Sequence, residues 1–183
     1  MPHRFSRRSF LKTALLASLA LGSGQPAWAG LLETAQPGRL HLVNPHTGER
    51  LDVTYRDEQG LYETEALDAI SWLLRCHYAD KQHPIDVRTL DYLNLVADSL
   101  GDNPEIHIIS GYRSPEYQAF LRRQGKKIAP NSLHQQGRAI DIRMPGVNAA
   151  AIRQAALKLR LGGVGYYPRS GLVHLDSGDF RTW

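Results

Sequence analysis

Two short stretches carry side chains that could do chemistry together. The stretch "NSLHQQGRAIDI" sets His134 seven residues before Asp141, and "LVHLD" sets His174 two residues before Asp176. Imidazole nitrogen and carboxylate oxygen both suit zinc, a borderline ion that takes either in a tetrahedron. His134, Asp141 and His174 therefore make a three-ligand set of the kind a catalytic zinc uses, with a fourth position left for water. Spacing alone does not choose between that site and a set of ordinary surface polar residues, because His-x6-Asp with a distant histidine recurs by chance. Thiolate chemistry is excluded more firmly. Cys76 is the single cysteine, so no intrachain disulfide and no cysteine-based metal site can form, and its place in the apolar run "AISWLLRCHYA" reads as a buried, inert thiol.

The elements that must position these groups follow from hydrophobic period. In "AIDIRM" Ile140 and Ile142 share one face of a strand and Asp141 takes the other. In "LVHLD" Val173 and Leu175 point inward while His174 and Asp176 share the opposite face. His134 lies in the polar loop "KKIAPNSLHQQG". Upstream, "RLHLVNPHTGERLDVTY" is predicted as a hairpin of strands 40–43 and 51–55 around an Asn-Pro-x-x-Gly turn. "ETEALDAISWLLRCHY" and "DVRTLDYLNLVADSLG" are predicted helices, the first running through His77 and the second stopping at Gly101. "EIHIIS" is a strand, "SPEYQAFLRRQG" a short helix, "NAAAIRQAALKLRLGG" a helix stopped by glycines, and "VGYYP" a strand that turns at "RSG" into "LVHLD". Helices early and short strands late give an α+β domain, an antiparallel sheet packed with helices. The glycines of "GGVGYY" precede no helix, so no phosphate-binding unit is expected.

The first residues are set apart from this domain. "SRRSFLK" followed by "TALLASLALG" is a twin-arginine export pattern, and "AWA" at 27–29 supplies the small residues of a cleavage site. Residues 1–29 are thus expected to be a signal peptide and 30–183 a single domain, with no stable membrane anchor after cleavage, since the apolar run falls well short of the roughly 20 residues of a span. Of the 22 basic residues, Arg4, Arg7, Arg8 and Lys12 lie in this leader, which holds no acid. Removing them leaves the mature chain formally neutral, and with no basic stripe it is not a nucleic-acid binder.

The blocks "SGYRS", "SLHQQGRAID" and "GGVGYYPRSGLVHLDSG" resemble, in order and separation, those of the zinc D-Ala-D-Ala peptidase superfamily, which includes VanX-like dipeptidases and the hedgehog fold. The resemblance is closest to the YcbK-like branch of envelope murein endopeptidases and covers the chain from about Leu40 to the terminal "RTW". It implies that His134, Asp141 and His174 are zinc ligands and that Arg113 binds a substrate carboxylate or steadies an oxyanion, work suited to a planar, permanently charged guanidinium. Ser132 and Gly137 look structural: a hydroxyl for a turn, and a backbone position free of a side chain near the metal. It further implies a periplasmic hydrolase acting on peptidoglycan stem peptides, with diaminopimelate–diaminopimelate cross-links as the bond.

One departure concerns the general base. VanX-like members carry a glutamate three residues before the last histidine, and related lytic enzymes a histidine two residues before it; here those positions are Gly171 and Leu172. Asp176 is then either the general base or the acceptor that orients the His174 ring. The missing base also keeps open a non-catalytic peptidoglycan-binding module, and a carboxypeptidase on the same fold shares every ligand. His41, His46, His77, His83 and His107 read as packing or surface histidines, Asp179 and Arg181 as a surface ion pair, and Tyr112, Tyr166 and Tyr167 as candidate cleft residues.

Overall fold

The computed structural model describes residues 36–126 and 128–183, so the predicted signal peptide lies outside the described residues. The chain runs β1 (Gly38–Val43), β2 (Arg50–Arg56), α1 (Thr64–Leu73), α2 (Val87–Asp98), β3 (Glu105–Ser110) and α3 (Pro115–Arg123). A 3-10 turn (Leu133–Gln136), β4 (Ala139–Arg143), α4 (Ala149–Leu159), β5 (Gly163–Tyr167), β6 (Leu172–Asp176) and β7 (Arg181–Thr182) follow. Local chemistry starts three of the helices. Asp86 accepts from Arg88 N ahead of α2, Ser114 from Tyr117 N ahead of α3 with Pro115 in its first turn, and Asn148 from Ala150 N ahead of α4. Each side-chain oxygen satisfies an amide that the first turn leaves without a partner.

The seven strands form one sheet in the order β2-β1-β3-β4-β6-β5-β7. The α+β class expected from the sequence holds, and the sheet is mixed. Pairs β1–β2, β3–β4, β4–β6 and β5–β6 are antiparallel, whereas β1–β3 and β5–β7 are parallel. The β1–β3 pairing is possible because β2, α1 and α2 intervene and supply the long crossover that parallel neighbours need.

One sheet face is apolar. Leu40, Leu42, Ile106, Ile108, Ile140, Ile142, Val173 and Leu175 alternate along four strands and are almost fully buried in one cluster with Leu90, Leu93 and Val96 of α2 and Ile152 and Ala156 of α4. Burying each large aliphatic side chain stabilises the fold by about 1.5–3 kcal/mol before entropy is counted. This burial fixes the register, and the register decides which residues of β4 and β6 face the other way.

One helix is shorter than its periodicity predicts. α1 stops at Leu73, and residues 76–81 fold back as a tight turn in which Cys76 N donates to Lys81 O (2.9 Å) and Lys81 N to Cys76 O (3.2 Å). Cys76 and His77 belong to that turn rather than to the helix. The Cys76 thiol is buried 3.5 Å from Ser114 Oγ, so a tertiary contact ends the helix where local propensity would continue it.

Candidate metal centre

Strand register brings the site together. Asp141 of β4 lies directly opposite His174 of β6, and Ser110 of β3 opposite Asp141. A register shift between Ile108 and Ser110 puts the serine on this row. His134 comes from the 3-10 turn, which is tied down at both ends: Arg113 N donates to His134 O (3.1 Å), and Asp86 N to Gly137 O (2.9 Å). Gly137 ends the turn at φ +64°, and a Cβ there would meet Pro84 O at 2.1 Å. The bare backbone expected at this glycine is thus required by the loop packed against it. Ser132 precedes the turn, but its hydroxyl makes no capping bond.

The three predicted ligands converge. One ligand atom from each of His134, Asp141 and His174 lies within 4.8 Å of the others, and all three residues are buried. His134 Nδ1 sits 2.7 Å from Gly111 O, so this nitrogen carries the proton and Nε2 presents a lone pair. His174 Nε2 sits 2.9 Å from Asp176 Oδ2, so its Nδ1 faces inward. That Nδ1 lies 3.3 Å from His134 Nε2 and 2.8 Å from Asp141 Oδ1, while His134 Nε2 lies 3.4 Å from Asp141 Oδ2. Acceptors this close repel unless a proton or a cation lies among them. A tetrahedral zinc with bonds near 2.05 Å has ligand–ligand edges of about 3.3 Å, which the His134–His174 separation matches. The donor set therefore fits zinc.

Electrostatics act on the two rings in opposite directions. Burial pushes the His134 pKa below 6.5, keeping the ring neutral, and the Arg113 charge adds to the effect. Burial also works against a charged His174, but hydrogen bonds that the ring donates to Asp141 and Asp176 overcome it and raise that pKa. Burial would raise Asp141 too, yet the contacts with His174 and with the Arg113 guanidinium hold it far below the carboxylate range.

Asp176 has no exposed surface and serves five donors. Oδ1 accepts from Gly163 N (3.2 Å), Gly178 N (2.8 Å) and Arg181 Nη1 (3.0 Å), while Oδ2 takes His174 Nε2 (2.9 Å) and Arg181 Nη2 (2.7 Å). Burial opposes ionisation, but the bonds from His174, Arg181 and Gly178 lower its pKa to about 2. Arg181 is thus no surface partner of Asp179, from which it takes only the backbone carbonyl at 3.1 Å. Its bidentate grip on Asp176 could not be read from sequence, because β7 has no hydrophobic alternation and its pairing with β5 is two residues long.

Arg113 is aimed at the same row. Its Nε donates to Ser110 Oγ (2.8 Å) and its Nη2 to Asp141 Oδ2, which leaves Nη1 for the cleft. The centre opens into a cleft of about 1040 Å³ also lined by Tyr112, Tyr167 and Trp183. Tyr166, the third tyrosine expected there, instead packs against the Arg153 guanidinium. The Trp183 indole, whose part the sequence did not reveal, lies 5.1 Å from the His174 ring and donates from Nε1 to Tyr167 OH (2.9 Å). His77, read as a packing histidine, also borders the cleft and is bonded to Asn44 at 2.7 Å. At the missing-base positions, Gly171 sits at φ +64° in the β5–β6 turn, a conformation that a glutamate adopts only with strain.

Residues 32–183 match the protein family described as peptidoglycan L,D-endopeptidase MepK. The chain belongs to this family. The MepK protein of Escherichia coli K12 is 39% identical over 175 residues, covering 94% of this chain and 95% of its own length. A probable MepK of Haemophilus influenzae is 37% identical over 154 residues, covering 84% of this chain and 82% of its own. The MepK family thus spans the whole described domain, in agreement with the YcbK-like resemblance. Among the described residues no helix is long and apolar enough to cross a membrane.

Proposed function

We propose that this chain is a zinc-dependent murein endopeptidase that cuts L,D cross-links between diaminopimelate residues of peptidoglycan stem peptides. Residues 1–29 direct export by the twin-arginine pathway, and 30–183 form the single mature domain, which works in the periplasm. The observation that carries this reading is the convergence of His134 Nε2, Asp141 and His174 Nδ1 with their outer nitrogens already bonded. Membership of a family named for peptidoglycan L,D-endopeptidase activity supports the substrate and the bond.

The chemistry a zinc ion supplies when bound is Lewis acidity, which polarises a scissile carbonyl and lowers the pKa of water toward neutrality. The residues divide the remaining work. Gly111 O and Asp176 hold the protons on the outer nitrogens of His134 and His174, so that both rings present lone pairs in a fixed plane. Arg113, braced by Ser110 and Asp141, presents Nη1 to a substrate carboxylate. Asp176 acts as the acceptor that orients His174 rather than as general base, because five donors occupy a carboxylate with about four lone-pair sites.

Incubating zinc-loaded mature protein with defined muropeptides, cross-linked through diaminopimelate–diaminopimelate or D-Ala–diaminopimelate bonds, tests this by product mass. Monomers from the first class alone are expected. Loss of a terminal D-Ala from linear peptides would instead identify a carboxypeptidase. The occupied Asp176 also favours a second reading, a peptidoglycan-binding module without turnover. In that case sacculi bind the protein and no muropeptide is cut.

A further inference from the structure

The cleft that holds His134 and His174 is also lined by Tyr78 and Tyr117. Tyr78 is carried by the turn of residues 76–81, and this turn is pinned from several sides. Its two backbone bonds join Cys76 and Lys81, Arg75 Nε reaches Asp80 Oδ1 at 3.0 Å, and Lys81 pairs with Glu116 of α3. Asp80 completes the turn at φ +47°, a left-handed conformation that aspartate adopts more readily than most residues with a Cβ. So much fixing holds a tyrosine that is 53% exposed.

The ring does not stand alone. Tyr78 stacks on Tyr117 with centroids 5.1 Å apart and planes 25° apart, and on Phe120 at 4.9 Å and 26°. Tyr117 and Phe120 are 6.3 Å apart and 16° from parallel. Two half-buried rings from consecutive turns of α3, Tyr117 and Phe120, thus back one face of Tyr78, and Tyr78 and Tyr117 line the cleft. Flat apolar surface rimmed by polar groups marks a ligand-binding face. Stem peptides offer it little, because they are built of alanine, glutamate and a diamino acid. The flat apolar faces in peptidoglycan are the C–H faces of its pyranose rings.

We infer that Tyr78, backed by Tyr117 and Phe120, stacks against an N-acetylhexosamine ring of the glycan strand, so that the cleft holds sugar and stem peptide at once. This rests on the murein reading above and extends it to a saccharide subsite.

The direct test is binding of peptide-free glycan strands, alternating N-acetylglucosamine and N-acetylmuramic acid, to the zinc-loaded protein by calorimetry or ligand-observed NMR. Saturable binding is expected for the native protein and for Tyr78→Trp. Tyr78→Leu, which keeps apolar bulk without a flat face, should bind about tenfold more weakly. Equal binding by native and Tyr78→Leu protein, or no saturable binding by native protein, overturns the saccharide subsite. Thermal melts identify a misfolded variant, and the Tyr78→Trp protein then decides by keeping or losing the glycan. The assay involves no hydrolysis, so the two readings fail separately. Glycan binding without cleavage of cross-linked peptides sinks the endopeptidase reading alone, and cleavage without glycan binding sinks the saccharide subsite alone.

Discussion

Asp176→Asn separates an orienting carboxylate from a general base. The native side chain accepts His174 Nε2 at 2.9 Å and four further donors from Gly163, Gly178 and both Arg181 amino groups. The amide keeps one oxygen, so its NH2 must face either His174 and Arg181 or the two backbone amides and Arg181, and the His174 tautomer is no longer fixed. Losing such a partner of a metal-binding histidine costs about 10–100-fold in metal affinity, or about 1.4–2.8 kcal/mol. A base needs a free lone pair and a pKa near the working pH, whereas Asp176 has all its sites taken and a pKa lowered to about 2. Chelator competition gives the zinc affinity, and turnover of a cross-linked muropeptide at rising zinc gives kcat. The expected outcome is weakened zinc binding with kcat largely restored at saturating zinc. An unchanged affinity with kcat down by about 10²–10⁴ at every zinc concentration would refute the orienting role.

Other perturbations act on separate parts of the site. Because Asp141 and Asp176 raise the His174 pKa above 6.5, a proton competes with zinc, so affinity should tighten as pH rises through that raised value; a competition titration across pH checks this. Asp176, lowered from 3.8 to about 2, contributes stability that is present above 3.8 and lost as pH falls toward 2, on the order of 2 kcal/mol, measurable in acid melts of metal-free protein. Arg113→Lys keeps the charge but loses the braced fork, and should raise KM for carboxylate-bearing substrate more than it lowers kcat, read from steady-state kinetics. Gly137→Ala combines φ +64° with a contact 2.1 Å from Pro84 O, and should lower the melting temperature and loosen zinc binding through His134.

Much of the centre was legible because it sits on alternating strands. Ile140 and Ile142, like Val173 and Leu175, must enter the core, which leaves Asp141 and His174 on the opposite face whatever else the chain does. Their direct pairing was not legible, because strand order is a long-range outcome of the β1–β3 crossover and the β3 register shift. His134 was found by residue type, but its tautomer depends on a backbone carbonyl, Gly111 O, that no side-chain pattern encodes. Sequence alone allows Asp176 two roles, and what distinguishes them is Arg181, whose approach requires the short β7 edge strand. The periodicity of α1 ran past its true end because burial of Cys76 against Ser114 outweighs helix propensity. That same turn carries Tyr78 into the cleft, so the misread boundary coincides with the proposed saccharide subsite.

The most direct test of the metal centre is anomalous scattering at the zinc absorption edge from crystals of zinc-loaded mature protein. One peak per chain is expected, bonded at about 2.0–2.2 Å to His134 Nε2, an Asp141 oxygen and His174 Nδ1. No peak among these three residues, or one bound through other side chains, would contradict the assignment.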